Sequence, residues 1–201
     1  MPSPRHHHES PPPPITRIKL TRHRSGHPPE SVQDAVTVEE PLEIRVRGQS
    51  LAVTMRTPGH DEDLAVGFLF TEGLIRRAAD VTDVTHCPSA PAEARPNIVN
   101  VFLTPDAVFD PGRMRRNFHA SSSCGICGKA SIEMVQQHFP PVDDNPSVVS
   151  SAMLKRLPER LRAAQSGFSH TGGSHAAAVF DWDGNLVTAR EDVGRHNAVD
   201  K

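Results

Sequence analysis

The sequence predicts an α/β protein: a mixed β-sheet flanked by helices, with a smaller β-rich part towards the N-terminus. Three observations predict it. An alternating apolar–polar run folds back at Gly48, a second hairpin signal surrounds "WDGN", and amphipathic helical runs lie between the two. No internal repeat is present.

The elements follow in chain order. Eight of the 19 prolines fall in the first 29 residues, alongside "RHHHESPPPP" and few apolar side chains. Such a segment cannot bury enough surface to offset its ordering entropy, so residues 1–30 are expected to be a disordered Pro/His-rich tail. Its adjacent histidines, His6 to His8, are able to hold a stray metal ion, but composition favours a mobile tail. From Val36 the pattern changes. "PLEIRVRGQSLAVTMRTPG" alternates on both sides of Gly48 and reads as a β-hairpin. "DEDLAVGFLFTEGLI" opens with acids, carries Leu64, Phe68 and Leu69 at helical spacing, and stops near Gly73. "NIVNVFL" (97–103) is a further strand.

Residues 110–128 are Gly/Ser-rich and aperiodic, hence a loop, followed by the helix "KASIEMVQQHF" with Ile132, Val135 and Phe139 on one face. "AMLKRLPERLRAAQ" is amphipathic and broken before Pro158. "HAAAVFD" and "NLVTARED" pair across "WDGN", since Asp-Gly suits a tight turn. "VGRHNAVDK" begins one more helix. This organisation divides the chain into the tail (1–30), a β-rich N-terminal subdomain (31–118) and a cysteine loop with a C-terminal α/β subdomain (119–201), which stops inside a helical pattern as if a C-terminal portion were missing.

Composition narrows the function. With 22 basic against 24 acidic residues and 4% aromatics, the chain lacks the basic face and stacking platforms of a nucleic-acid binder. Its longest apolar run, "LAVGFLF", falls well short of a membrane helix, and the N-terminus has no apolar core of a secretory signal. Three cysteines cannot build a disulfide framework, which fits a reducing, cytoplasmic setting.

Two regions carry chemistry. The first is "SSSCGICGKA" (121–130). Two thiols three residues apart at a helix start feel the positive end of the helix dipole, and Lys129 adds a cation; both favour the nucleophilic thiolate. Gly125 and Gly128 clear the approach, so Cys124 and Cys127 suit attack on, or acceptance of sulfur from, another protein. Other fates stay open. A structural zinc site wants four ligands, for which only Cys87 and scattered histidines remain. A thioredoxin-like pair normally follows a strand directly, and an inert reduced pair is the bland reading. A zinc deaminase would use His60 and Glu62 of "HDE" with Pro-Cys-x-x-Cys, but Ser123 replaces that proline, and Asp61 to Asp63 read better as an acidic helix start.

The second region joins "SHTGGSHAAAVFD" to "TAREDVGRHNAVDK". Gly172 and Gly173 let backbone amides approach a bulky anion. Arg190, Arg195 and Lys201 suit phosphates, and Glu191, Asp192 and Asn197 suit a base or ribose, so a nucleotide-like site is expected. A helix cap with Asp192 as N-cap and solvated charges explains the same residues equally well. "GRMRR" (112–116) offers further cations beside the cysteine loop.

Taken together, "EPLEIRVRGQSLAVTMRTPG", "LAVGFLFTEGLI", "SSCGICGK", "TGGSHAAAVFD" and above all "REDVGRHNAVDK" resemble the formate dehydrogenase accessory sulfurtransferases (the FdhD family), in the same order from about Glu40 to Lys201. The resemblance implies a cytoplasmic protein of cytidine-deaminase-like fold without deaminase chemistry. It implies a sulfurtransferase that takes persulfide sulfur from a cysteine desulfurase and passes it to the molybdenum cofactor, as bis(molybdopterin guanine dinucleotide), for formate dehydrogenase. That cofactor is a bound substrate; no permanent metal is implied. Cys124 would accept the persulfide and Cys127 would assist in handling it. Gly172, Gly173 and His175, with Asp192, Gly194, Arg195, His196 and Asn197, would line the site for the guanine dinucleotide. A homodimer is expected. Chains of the family continue beyond the position of Lys201.

Overall fold

The computed structural model describes residues 14–107, 109 and 149–201. The four-stranded centre has the order β4-β3-β6-β5 and is a mixed sheet. β3 (Glu40–Val46) and β4 (Gln49–Arg56) form the hairpin expected from the alternation. Its turn places Arg47 and Gly48 at φ 51° and 78°, the left-handed pair that matches strand twist. β6 (Ile98–Leu103) runs parallel to β3, and β5 (Val81–His86) runs antiparallel to β6 at the sheet edge.

Register assigns the faces. Leu42, Ile44 and Val46 of β3 share a side with Val99 and Val101 of β6, and that side is the core. α1 (Asp61–Thr71) covers it with Leu64, Ala65 and Leu69. The start of α1 is tied to the end of β4 by a buried bidentate pair, Arg56 Nε to Asp61 Oδ1 at 2.9 Å and Nη2 to Oδ2 at 2.8 Å. The same guanidinium donates to Asn97 Oδ1 at 3.0 Å, so one side chain joins strand, helix and the turn before β6. Asp61 to Asp63 are thus an acidic first turn, as the sequence suggested.

A second layer follows. β7 (His175–Phe180) and β8 (Leu186–Asp192) are the hairpin about "WDGN". α2 (Ser151–Leu154) and α3 (Leu157–Ala164) are the broken amphipathic helix, α4 (Ser166–Thr171) follows, and α5 (Arg195–Asp200) starts where "VGRHNAVDK" predicted. α3 packs on the hairpin, and so does α5. α5 also crosses α1 at Gly67, where a Cβ would lie 1.8 Å from the Asp200 carbonyl oxygen, so only glycine allows the approach.

The N-terminal expectation needs correction. Residues 15–22 are not part of a disordered tail: β1 (Ile15–Arg22) pairs antiparallel with β2 (Glu30–Thr37) in full register. Only Ile18 and Leu20 share a face of β1, a short signal that the intervening and flanking arginine and lysine dilute. The hairpin meets α4 through a 2.8 Å hydrogen bond between the Thr37 and Thr171 hydroxyls. Among the described residues no helix is long and apolar enough to cross a membrane.

At the α1–α5 crossing, burial pushes the Asp200 carboxyl up to about 6, helped by the charge of Glu72 and opposed by a 3.0 Å hydrogen bond from Thr71 Oγ1. The folded chain therefore holds this proton where the unfolded chain, with its ordinary value of 3.8, has released it. The stabilisation is complete below the unfolded value and is lost as pH rises through about 6. Across that range it amounts to about 3 kcal/mol. Asp200→Asn, which still accepts from Thr71, should remove that component of the pH dependence, read as melting temperature at pH 5 against pH 7.

Candidate functional site

The residues of "REDVGRHNAVDK" divide into an internal set and an outward set. Asp192, the last residue of β8, is 0% exposed. Its carboxylate receives four donors. Oδ1 accepts from Gly194 N at 2.8 Å and Asn197 Nδ2 at 3.0 Å, and Oδ2 accepts from Thr57 N at 3.0 Å and Lys201 Nζ at 2.8 Å. A buried carboxylate is tolerable only when paired and fully hydrogen-bonded, and this one is both. Lys201 also donates to the Thr57 carbonyl at 2.7 Å, Val193 N donates to Thr57 Oγ1 at 3.1 Å, and Asn197 Nδ2 donates to the Met55 carbonyl at 2.8 Å. The end of β4 and the start of α5 are thereby one unit.

This arrangement reassigns several expected roles. Asp192 is not the N-cap of α5; Gly194 holds that position. Glu191 caps α4 instead, accepting from Gly167 N at 2.8 Å, Phe168 N at 2.7 Å and Ser174 Oγ at 2.8 Å. Arg190 faces Asp63, with 3.4 Å from Nη2 to Oδ2, and donates to Thr188 Oγ1. The polar atoms of Glu191, Asp192, Asn197 and Lys201 are engaged within the chain.

The outward set is what a ligand would meet. Arg195 and His196 are exposed on the first turn of α5. Gly172 ends α4 in the left-handed region at φ 65°, Gly173 is exposed beside it, and His175 opens β7, also exposed. His175 is the register partner of Asp192, so the two segments that are separate in sequence meet at one end of the β7–β8 hairpin. A shallow cleft of about 250 Å³, lined by Arg156, Arg160 and Trp182 among others, lies at the opposite, turn end. The exposed Arg195 guanidinium suits a phosphate-bearing ligand. The backbone amides expected to do so are engaged, Gly172 N–H donating to the Phe168 carbonyl at 2.7 Å and Gly173 N–H to Thr171 Oγ1 at 3.1 Å.

Cys124 and Cys127 lie outside the described residues, as do "GRMRR" and the helix expected at "KASIEMVQQHF". Sequence reasoning did not find Thr54, Met55 or Thr57, because "TMRTPG" carries no local sign that its backbone serves a carboxylate 135 residues away. Among the described residues no three His, Cys, Asp or Glu side chains gather as a metal site.

The chain is an α/β protein with a helix-flanked mixed sheet, in which a buried polar anchor holds Arg195 and His196 exposed at a hairpin end, and comparison with known proteins fixes its family. The family model described as FdhD/NarQ matches residues 37–201. The chain is 47% identical over 172 residues to the sulfur carrier protein FdhD of Streptomyces coelicolor, covering 84% of this chain and 61% of that one. It is 44% identical over 193 residues to the protein of the same name from Mycobacterium tuberculosis, covering 92% and 70%. A crystal structure of a protein assigned as a formate dehydrogenase accessory protein from Desulfotalea psychrophila superposes with a TM-score of 0.68 at 22% identity, over 94% of this chain and 67% of that one. The chain belongs to the FdhD/NarQ family. It spans about 61% of the length of the Streptomyces relative.

Removing the cation of the anchor leaves a fully buried, unneutralised carboxylate. Lys201→Met should lower stability by about 3 kcal/mol in urea unfolding, and adding Asp192→Asn should recover part of that loss.

Proposed function

We propose that this protein is a sulfur carrier that takes persulfide sulfur from a cysteine desulfurase and delivers it to the molybdenum cofactor, in its bis(guanine dinucleotide) form, for a formate dehydrogenase. The observation that carries the reading is family membership together with the C-x-x-C at Cys124 and Cys127, since the Streptomyces and Mycobacterium relatives are named sulfur carriers.

The chemistry is thiol–persulfide exchange. The Cys124 thiolate attacks the terminal sulfur of the donor persulfide, and the donor leaves as a thiolate. Cys124 then holds –S–SH. Release to the cofactor is completed when Cys127 attacks the Cys124 sulfur, leaving a disulfide that a cellular thiol reduces. The guanine dinucleotide is met by Gly172, Gly173, His175, Arg195 and His196, while Asp192, Gly194 and Asn197 hold that surface in place. The protein acts in the cytoplasm as a homodimer.

Incubation with a desulfurase and cysteine should add about 32 Da, one sulfur atom, to the wild type and to Cys127→Ala but not to Cys124→Ala. The opposite pattern exchanges the two roles, and no adduct on any form refutes the relay. A chaperone that only shields the cofactor would instead activate its target with both cysteines replaced, and stoichiometric zinc in the purified protein would point to a metal site.

The nucleotide surface is tested separately. Arg195→Ala and His196→Ala should each weaken binding of guanosine diphosphate about five- to tenfold by calorimetry. Because both side chains are exposed, the melting temperature should not move.

A further inference from the structure

The tip of the β7–β8 hairpin is braced from two sides. Asp181 fixes the turn: its Oδ1 accepts from Asp183 N at 3.0 Å and Asn185 N at 2.7 Å, and its Oδ2 accepts from Asn185 Nδ2 at 2.9 Å. Gly184 N donates to the Asp181 carbonyl at 2.9 Å. Arg160 Nη1 of α3 donates to the Gly184 carbonyl, and a Cβ at Gly184 would lie 3.1 Å from Met153 Cγ of α2. None of these contacts uses the side chain of Trp182. That indole, the chain's one tryptophan, is 67% exposed on the braced turn. A large aromatic held out on a rigid support is the usual anchor of a binding surface, not a core residue.

The cleft of about 250 Å³ beside it is lined by Met153, Leu157 and Trp182 together with Arg156, Arg160 and Asp183. Arg156 and Arg160 stand one helical turn apart at the start of α3. Arg156 spends only Nε, on the Ala152 carbonyl at 3.2 Å; among the described residues its terminal nitrogens have no partner, and neither has the Asp183 carboxylate. Residues 150–165 hold Lys155, Arg156, Arg160 and Arg162 against Glu159 alone, in a chain of net charge -2. Apolar surface continues past the cleft, with Leu154 of α2 and Val179, Leu186 and Val187 of the hairpin all exposed. A small ligand would leave those side chains in water, whereas a polypeptide covers them. The local cations select an acidic one.

We propose that the β7–β8 tip, with α2 and α3, is a docking site for an acidic peptide segment of a partner protein. One apolar side chain of the segment enters between Met153, Leu157 and Trp182. Its flanking carboxylates pair with Arg156 and Arg160, and a backbone N–H donates to Asp183. His175 and Asp192 mark the other end of the hairpin, so this site is apart from Arg195 and His196 and does not rest on the sulfur relay.

The single tryptophan reports on the cleft directly. A fluorescein-labelled peptide, Glu-Glu-Phe-Leu-Glu-Glu, titrated onto the full chain at low salt, should bind with a Kd of about 10–100 μM by anisotropy. Trp182 emission should move to shorter wavelength as the indole leaves water. Trp182→Ala and Arg156→Glu should each weaken binding about tenfold with an unchanged melting temperature, because both side chains are exposed. The peptide with lysines in place of its glutamates should not bind. Guanosine diphosphate affinity should survive Trp182→Ala. If the acidic peptide shows no saturation up to about 1 mM, if both variants bind it like the wild type, or if the lysine peptide binds equally well, the proposal is wrong. A shift of Trp182 emission with guanosine diphosphate and none with the peptide makes the cleft a nucleotide site and overturns it too.

Discussion

The Asp192 carboxylate is the point on which the two halves of the chain depend. It lies at the end of β8, yet all four of its donors lie outside that strand: the Thr57 amide follows β4, and Gly194, Asn197 and Lys201 belong to α5 and its caps. A buried anion is costly, and that cost makes the interaction selective: a displaced loop would leave the charge unpaired, so only one placement of Thr57 against α5 is stable. Asn197 extends the constraint to the backbone of Met55 and to the Thr54 hydroxyl. The exposed Arg195 and His196 inherit a fixed position from residues that never meet a ligand.

A similar division of labour recurs in the molecule. Arg56 and Asp61 fasten α1 to the sheet from inside, while Glu62 and Asp63 of the same turn remain exposed. Glu191 caps α4 by taking two backbone N–H groups and the Ser174 hydroxyl, which sets the direction of the Gly172–Gly173 turn that follows. In each case an ionised side chain in a polar-looking motif stabilises backbone, and its neighbour faces outward.

Much of this fold could be read from the residues. The β3–β4 hairpin follows from alternation about Gly48, the β7–β8 hairpin from Asp-Gly, and α1 from apolar spacing after three acids. β1 was obscured because "ITRIKLTR" dilutes its apolar positions with arginine and lysine. α4, "SGFSHT", has no helical signature of its own and rests on a distant cap. The candidate site was legible as a cluster but not as a division of roles. Local reading cannot tell an aspartate that contacts a ligand from one that binds a backbone amide 135 residues earlier. Only register and burial separate Asp192 from Arg195.

The close crossing of α1 and α5 at Gly67 has a consequence for the order of assembly. The sheet, α1 and the β3–β4 hairpin lie within residues 40–103, so they can form from a partly synthesised chain. The Thr57 loop, in contrast, must wait for α5, and closing a span of that length costs about 4 kcal/mol of chain entropy before any contact is gained. Docking is therefore late, and a nascent chain released before α5 emerges has its early module folded and its ligand-facing surface unbuilt. Backbone-to-backbone contact at Gly67 then acts as a final fit, which any side chain at that position would block.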